Sequence, residues 1–296
     1  MKISIIGTNG LLSNSIGRYC NENGIKIEMY GRSKPKRHDF NAFFEIDLLN
    51  EELSYEQIKS SDIIIYAVGA GIQSNLQESA DIIYSLNVSV PVKIINELKI
   101  IGFSGSFVTF GSYFEIGENT ENQFFTENEL LQSQNRVVND YSISKRMFSR
   151  FISSVEQPFK TWHFILPTIY GEQESAHRLI PYTINALKTN ADIEFTSGEQ
   201  VRQYIYIAEI AEIIMHSLNK NISSGVYNVA GTESLTVKEL VTSLFNLFNK
   251  EVPESVFGKA KRTDTGMKIL QLGGSKLYNA IDYNPHIKIS DVYDKY

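Results

Sequence analysis

The chain has 296 residues, 42% of them hydrophobic, a net charge of −6 and a single cysteine, Cys20. That length holds one large domain or a nucleotide domain with a smaller partner, and the acidic balance argues against nucleic acid as a partner. One cysteine builds neither a disulfide framework nor a Cys-based metal site, and no metal is expected; the N-terminal apolar run is too short for a signal peptide and no segment approaches a membrane span, so the expected setting is the cytoplasm without a membrane partner.

The first stretch, Lys2 to Tyr19, opens with an apolar strand (Ile3, Ile5, Ile6), turns at Gly7-Thr8-Asn9-Gly10 and continues as a helix from about Leu11. In a dinucleotide-binding unit the first glycine permits the sharp turn. The next lets backbone N–H groups approach a pyrophosphate at the positive end of the helix dipole. A third glycine would lie three residues on, where Ser13 stands, a residue small enough for close helix packing. Taken alone, two glycines at this spacing also fit an ordinary turn. The apolar run Ile25 to Tyr30 follows Asn23-Gly24, a natural helix stop, and completes a strand-helix-strand crossover.

The end of the second strand selects the cofactor. A carboxylate there would bind the ribose hydroxyl of NAD and repel the 2′-phosphate of NADP. The chain instead has Arg32, followed by Lys34, Lys36, Arg37 and His38, its densest basic cluster. A solvated basic loop would look the same, but its place beside the adenosine end favours NADP(H), with NAD as the other option.

Further strands are expected at Phe43 to Asp47, Asp62 to Val68, Ser106 to Phe110 and Trp162 to Leu166, alternating with helical patterns. Nearly continuous apolar strands must be covered on both faces, so the expected fold is α/β, a doubly wound parallel (Rossmann) sheet with a smaller C-terminal substrate-binding lobe. The helical segment from about Leu76 to Ile101 contains Pro91, which should kink it near Asn87. After Gly171 the texture changes. The expected division is a dinucleotide-binding domain over residues 1–167 and a lobe over 168–296, with some segments free to return to the sheet. The lobe should hold a short helix from Arg178 to Leu187, a strand at Gly225 to Val229 and a helix from Thr236 to Phe248.

Tyr141 and Lys145 stand four apart near the start of a predicted helix, which puts phenol and ammonium on one face. A tyrosine ionises near pH 10, so it shuttles protons at neutral pH only if a cation stabilises its phenolate, and Lys145 is spaced to do so. With 16 tyrosines in the chain, chance competes with this assignment. What favours the pair is Ser112, about thirty residues upstream at the end of a predicted strand, where the sheet's carboxyl edge would meet the cofactor. Ser142 to Lys145 also spells the Ser-x-x-Lys of acyl-transfer serines, but the companion motifs of that chemistry are missing.

Gly7-x-x-Gly10, Asn87-Val88, Ser112 and Tyr141-x-x-x-Lys145 together resemble the short-chain dehydrogenase/reductase superfamily. Leu166-Pro167-Thr168-Ile169-Tyr170-Gly171, Arg202 to Ile207, Val226 to Gly231 and the terminal stretch Leu272 to Pro285 resemble its extended branch, which acts on nucleotide-activated sugars. The resemblance covers nearly the whole chain. It implies that Tyr141 is the general acid/base, that Lys145 lowers its pKa and holds the nicotinamide ribose, and that Ser112 hydrogen-bonds the reacting oxygen. It implies a cofactor track along Gly7, Asn9, Gly10, Leu11, Leu12, Arg32, Asp47, Leu48, Ala67 and Pro167, ending at Tyr141 and Lys145. It further implies a sugar-nucleotide site from Ser112, Tyr113, Thr168 and Arg178, with Arg202 and Arg262 on the diphosphate, where a planar guanidinium binds two oxygens at once. The chain departs from the family pattern at Ser13, at Thr168 where an asparagine is customary, and at Gln203 where an aspartate is customary. Tyr113 and Phe114 occupy the place where dehydratases carry an acidic pair, so 4,6-dehydration is not expected.

The implied activity is NADPH-dependent reduction of a keto group, with the 4-keto group favoured, on a nucleotide-linked deoxysugar. A sugar-nucleotide 4-epimerase is the alternative, and a catalytically silent NADP-sensing or scaffold protein is the alternative of another class. Pairing through the long helices that bear the tyrosine, as in many members of the family, implies a homodimer.

Overall fold

A computed structural model describes residues 1–72, 77–260 and 266–296. The N-terminal half runs β1 (Lys2–Ile6), α1 (Leu11–Glu22), β2 (Lys26–Gly31), β3 (Ala42–Glu45), α2 (Tyr55–Ile58), β4 (Ile63–Tyr66), α3 (Ala80–Tyr84), α4 (Val90–Ile100), β5 (Ser106–Ser112), α5 (Glu127–Gln132) and α6 (Asp140–Ser154). The rest runs β6 (Lys160–Leu166), β7 (Thr168–Tyr170), α7 (Leu179–Thr189), β8 (Val201–Tyr206), α8 (Ile207–Asn219), β9 (Gly225–Asn228), β10 (Glu233–Thr236), α9 (Val237–Leu247), β11 (Ile269–Leu270) and α10 (Ser275–Ile281).

Among the described residues, seven strands form one parallel sheet in the order β3-β2-β1-β4-β5-β6-β9. Alternate residues of each strand enter opposite cores: Ile3, Ile5, Ile63, Ile65 and Val108 pack on the side of α1, and Ile6, Ile64 and Phe107 on the side of α4 and α6. Both faces are therefore dry, which is why the strands are apolar throughout. The order reverses between β1 and β4, and ligands of doubly wound sheets bind at the carboxyl ends beside that switch. A second, four-stranded sheet is built on β8, which pairs with β7, β10 and β11.

Two expectations are refined. The bend near Asn87 is a π-helical turn, Ser85–Ser89, between α3 and α4, with Pro91 in the first turn of α4. The helix runs on without a break from the π-turn into α4, so the N–H that Pro91 lacks would have pointed back into that turn, and the wide turn absorbs its loss and the change of register. The strand Gly225 to Val229, expected in the smaller lobe, is instead the last strand of the main sheet, pairing from Trp162↔Gly225 to Ile165↔Asn228. The cause is α8: Ile210, Ala211, Ile213 and Ile214 are buried in the same core as Ile16 and Cys20 of α1. Once α8 lies in that layer, the chain leaves it at the sheet's edge, so α8 and β9 return across the boundary drawn at residue 168.

Candidate active site

The expected cofactor residues lie along the carboxyl edge of the main sheet. Gly7 follows β1 with φ +103°, and a Cβ there would stand 3.1 Å from Val68 and 3.2 Å from the Ala67 carbonyl carbon. Glycine is required on both counts. Gly10 caps α1 without any side-chain hydrogen bond, so Leu11, Leu12 and their neighbours begin the helix with uncommitted N–H groups. Ser13 is fully buried and fills the place of the third glycine. Asn9 Nδ2 donates to Ser33 Oγ at 3.0 Å and to the Lys34 carbonyl at 3.2 Å, which ties the glycine turn to the segment after β2.

That segment exposes Arg32, Lys34 and Lys36. Asp47 follows β3 with Leu48; its carboxylate, held low by the Leu49 amide and Asn50 and also by the Arg32 charge, faces the same corner. The rest of the basic cluster is committed elsewhere. Arg37 donates to Gln173 Oε1 at 3.0 Å, and the His38 ring lies so close to Gly17 that a Cβ there would come within 2.4 Å of it. Further along the edge, a Cβ on Gly69 would meet Asn87 Oδ1 at 3.8 Å and Lys145 Nζ at 3.9 Å, an open approach beside that lysine. A glycine turn against backbone, an uncapped helix start, exposed cations after β2 and this open floor suit an extended dinucleotide.

Ser112, Tyr141 and Lys145 come together. Ser112 ends β5, while Asn139 caps α6 through the Ser142 amide at 2.8 Å and so places Tyr141 and Lys145 in its first turns. All three are buried, Tyr141 and Lys145 at 9% exposure. Burial pushes the Tyr141 phenol up to about 12; a hydrogen bond to Ser112 and the charge of Arg178 oppose this, and Glu115 adds to it. Lys145 is pushed down to about 8 by burial, with Glu115 opposing. The expectation that Lys145 lowers the phenol's pKa is not met in this arrangement: Nζ lies 6.0 Å from the Tyr141 ring centroid and donates to the Phe110 carbonyl at 2.9 Å.

Tyr113 is buried and its hydroxyl shares a 2.5 Å hydrogen bond with Thr168 Oγ1, so two expected substrate residues meet across β5 and β7. Phe114 stands edge-on to Tyr113 and to Tyr141, at 5.0 and 6.5 Å between ring centroids. Pro167 links β6 to β7 beside them. Arg178 donates Nη2 to the Ile169 carbonyl at 2.8 Å and pairs through Nε with Glu174 at 3.1 Å, so much of its fork serves the chain. Arg202 lies in the second sheet, 5% exposed, with Nη1 on the carbonyls of Val201 at 2.8 Å and Lys268 at 3.3 Å. Arg262 lies outside the described residues.

Behind these groups stand supports that the sequence does not assign to the site, although Asn87 belongs to the motif that carries the resemblance. Asn87 donates to the Ala70 carbonyl and to Ser144 Oγ, both at 2.9 Å, and accepts from the Ala70 amide at 3.0 Å. His163 is buried between Thr109 at 2.7 Å and Ser149 at 2.8 Å and is held neutral, its pKa pushed down to about 3 by burial and the nearby Lys145. Glu115, three residues after Ser112, forms a capping box with it, and Ser-x-x-Glu is the one signal that could have pointed there. Among the described residues no helix is long and apolar enough to cross a membrane, and no group of His, Cys, Asp and Glu is placed to hold a metal ion.

The chain is similar over 120 residues, at 32% identity, to the CDP-abequose synthase of Salmonella muenchen, a match spanning 39% of this chain and 40% of that protein. It is 25% identical over 162 residues to the dTDP-4-dehydro-6-deoxyglucose reductase of Escherichia coli, spanning 52% of this chain and 50% of that one. In fold it is similar to the UDP-glucose 4-epimerase of Thermotoga maritima solved with UDP-glucose, with a TM-score of 0.85 at 16% identity, covering 100% of this chain and 97% of that one. Residues 3–230 match the model of the NAD dependent epimerase/dehydratase family, to which this chain belongs.

Proposed function

We propose that the protein reduces the keto group, best the 4-keto group, of a nucleotide-diphosphate-linked deoxysugar with NADPH. The observation that carries this reading is the meeting of Ser112, Tyr141 and Lys145, all buried, at the carboxyl edge of the main sheet, with the Tyr141 hydroxyl on Ser112. A reduction needs a proton donor at the carbonyl oxygen; the Tyr141 hydroxyl is protonated at neutral pH and so has a proton to give, and it gives it most readily when its pKa is brought down toward the working pH. When bound, the cofactor supplies the hydride. Tyr141 gives its proton to the forming alkoxide, and Ser112 holds the same oxygen with a second hydrogen bond. Lys145, anchored on the Phe110 carbonyl, presents its charge to the groove floor at Gly69, where it suits a ribose.

Exposed Arg32, Lys34 and Lys36 support NADPH over NADH, since their charges suit a 2′-phosphate. Tyr113 and Phe114 supply an aromatic wall and no acid for water elimination, which speaks against dehydration. Arg202 is proposed as the diphosphate contact, with Arg262, which lies outside the described residues, as a second one on the strength of the resemblance alone. The relatives named a synthase of a CDP-sugar and a reductase of a dTDP-sugar support a substrate of this class. The test is incubation with NADPH and a nucleotide-linked 4-keto-6-deoxysugar, followed by absorbance and mass. Stoichiometric loss of NADPH with a product two mass units heavier supports the reading; interconversion of two sugars without net loss of NADPH would mark a 4-epimerase.

A further inference from the structure

Glu115 is a carboxyl that the proposed reaction does not use. It is fully buried in the short turn Tyr113–Ile116, and its Oε1 accepts the Ser112 amide at 2.7 Å. Ser112 Oγ in turn accepts the Phe114 amide at 3.3 Å, so the reciprocal pair fixes both the backbone and the hydroxyl of Ser112. The carboxylate lies directly under this corner: a Cβ on Gly111 would stand 2.7 Å from Oε1. Behind it, the turn's own backbone is gripped by Arg146, whose Nε donates to the Glu115 carbonyl at 2.9 Å.

The groups that face this carboxylate come from three elements. β5 gives the Ser112 amide; α6 gives Lys145, Arg146, Ser149 and the neutral phenol of Tyr141; His163 of β6 bonds the same Ser149 and is neutral. Lys145 and Arg146 are the cations among them, and Lys145 Nζ sits on the Phe110 carbonyl at 2.9 Å, one residue before the Gly111 against which Glu115 Oε1 lies. Arg146 keeps its charge whatever the pH of interest, so Lys145 is the member whose protonation a buried counter-charge can decide.

We propose that Glu115 is a positioning residue for the catalytic constellation: through the Ser112 amide it sets the Ser112 hydroxyl, and as the internal counter-charge it keeps buried Lys145 an ammonium. This rests on the reading that Ser112 and Lys145 serve the reaction, yet both effects are observable without turnover. Burial raises the Glu115 carboxyl to about 7 and lowers Lys145 to about 8, each acting against the other's shift. As pH falls through about 7, Glu115 gains its proton and Lys145 loses its partner.

The experiment uses the full chain labelled with carbon-13 at lysine Cε, with the Lys145 resonance assigned by its loss in Lys145→Met. Glu115→Gln keeps an oxygen for the Ser112 amide and removes the charge, so it separates this role from simple capping. The Lys145 pKa should fall by about 1 or more in Glu115→Gln, and wild type should show a second inflection near the Glu115 ionisation. Glu115→Asp, which retains the charge, should keep Lys145 close to wild type. A Lys145 titration that is the same in wild type and a folded Glu115→Gln overturns the proposal. Should Glu115→Gln not fold, the wild-type curve decides: a single inflection overturns the proposal and two support it. Wild type that titrates as expected but reduces no keto sugar supports this charge pairing and counts against the proposed reaction instead.

Discussion

Asn87 Nδ2 donates to Ser144 Oγ at 2.9 Å, which fastens the π-helical turn before α4 to the residue just ahead of Lys145 on α6. The same amide holds the Ala70 backbone through its N–H and its carbonyl. One buried side chain therefore sets the distance between the loop after β4 and the helix bearing Tyr141.

Asn87→Ala should cost about 2 kcal/mol of folding stability, because the Ala70 backbone groups and the Ser144 hydroxyl are left buried without this partner. Urea unfolding at pH 7.5 measures it. Lys145 should also lose order, seen as weaker cofactor binding.

Arg32→Ala should narrow the preference for NADPH over NADH by about 1 to 3 kcal/mol, since a charge-assisted contact to the 2′-phosphate is lost. Fluorescence titration of both cofactors at physiological salt gives the two dissociation constants. Equal affinities in the unmodified protein would contradict the assignment of this corner.

Arg202→Ala should raise KM for the sugar nucleotide strongly and leave the cofactor's dissociation constant nearly intact, because Arg202 lies in the second sheet and the proposed cofactor residues along the main one. Arg202 also binds the carbonyls of Val201 and Lys268, so the melting temperature must be followed alongside. A changed melting temperature with an unchanged KM would make it a structural arginine.

The pH dependence of stability should show His163. Its pKa is pushed down to about 3 in the fold from an ordinary 6.5, so its contribution is full above about 6.5 and is lost as pH falls toward about 3. Each pH unit in that window should cost up to about 1.4 kcal/mol relative to His163→Gln, which has no proton to take up. Paired unfolding curves at pH 7 and 5 test the sign: the stability advantage of wild type over the variant should shrink at the lower pH.

Local signals were legible in the sequence and distant pairings were not. The glycine turn and α1 follow from Ile3 to Gly10, the bend at Asn87 from Pro91, and the shared face of Tyr141 and Lys145 from their spacing. Nothing in Gly225 to Asn228 says which sheet four residues join; that depends on α8 finding α1. Lys36 and Arg37 are indistinguishable as a charge run, yet Arg37 is turned to Gln173, a contact made across 136 positions of the chain. Glu115 fits the pattern of an ordinary cap, and only the packing of α6 and β6 over it buries its carboxylate.

Tyr141 is proposed to protonate the oxygen as hydride arrives. Tyr141→Phe keeps the ring that packs edge-on against Phe114 and removes only the hydroxyl that meets Ser112. Lys145→Met should also slow the reaction and weaken cofactor binding, and Ser112→Ala should cost less than Tyr141→Phe, because the Tyr141 hydroxyl remains. The direct measurement is a stopped-flow trace of NADPH absorbance with a nucleotide-linked 4-keto sugar, for wild type and Tyr141→Phe at equal, verified occupancy of both ligands. The rate should be lower by roughly a hundredfold to ten-thousandfold in the variant; equal rates would rule out Tyr141 as the proton donor.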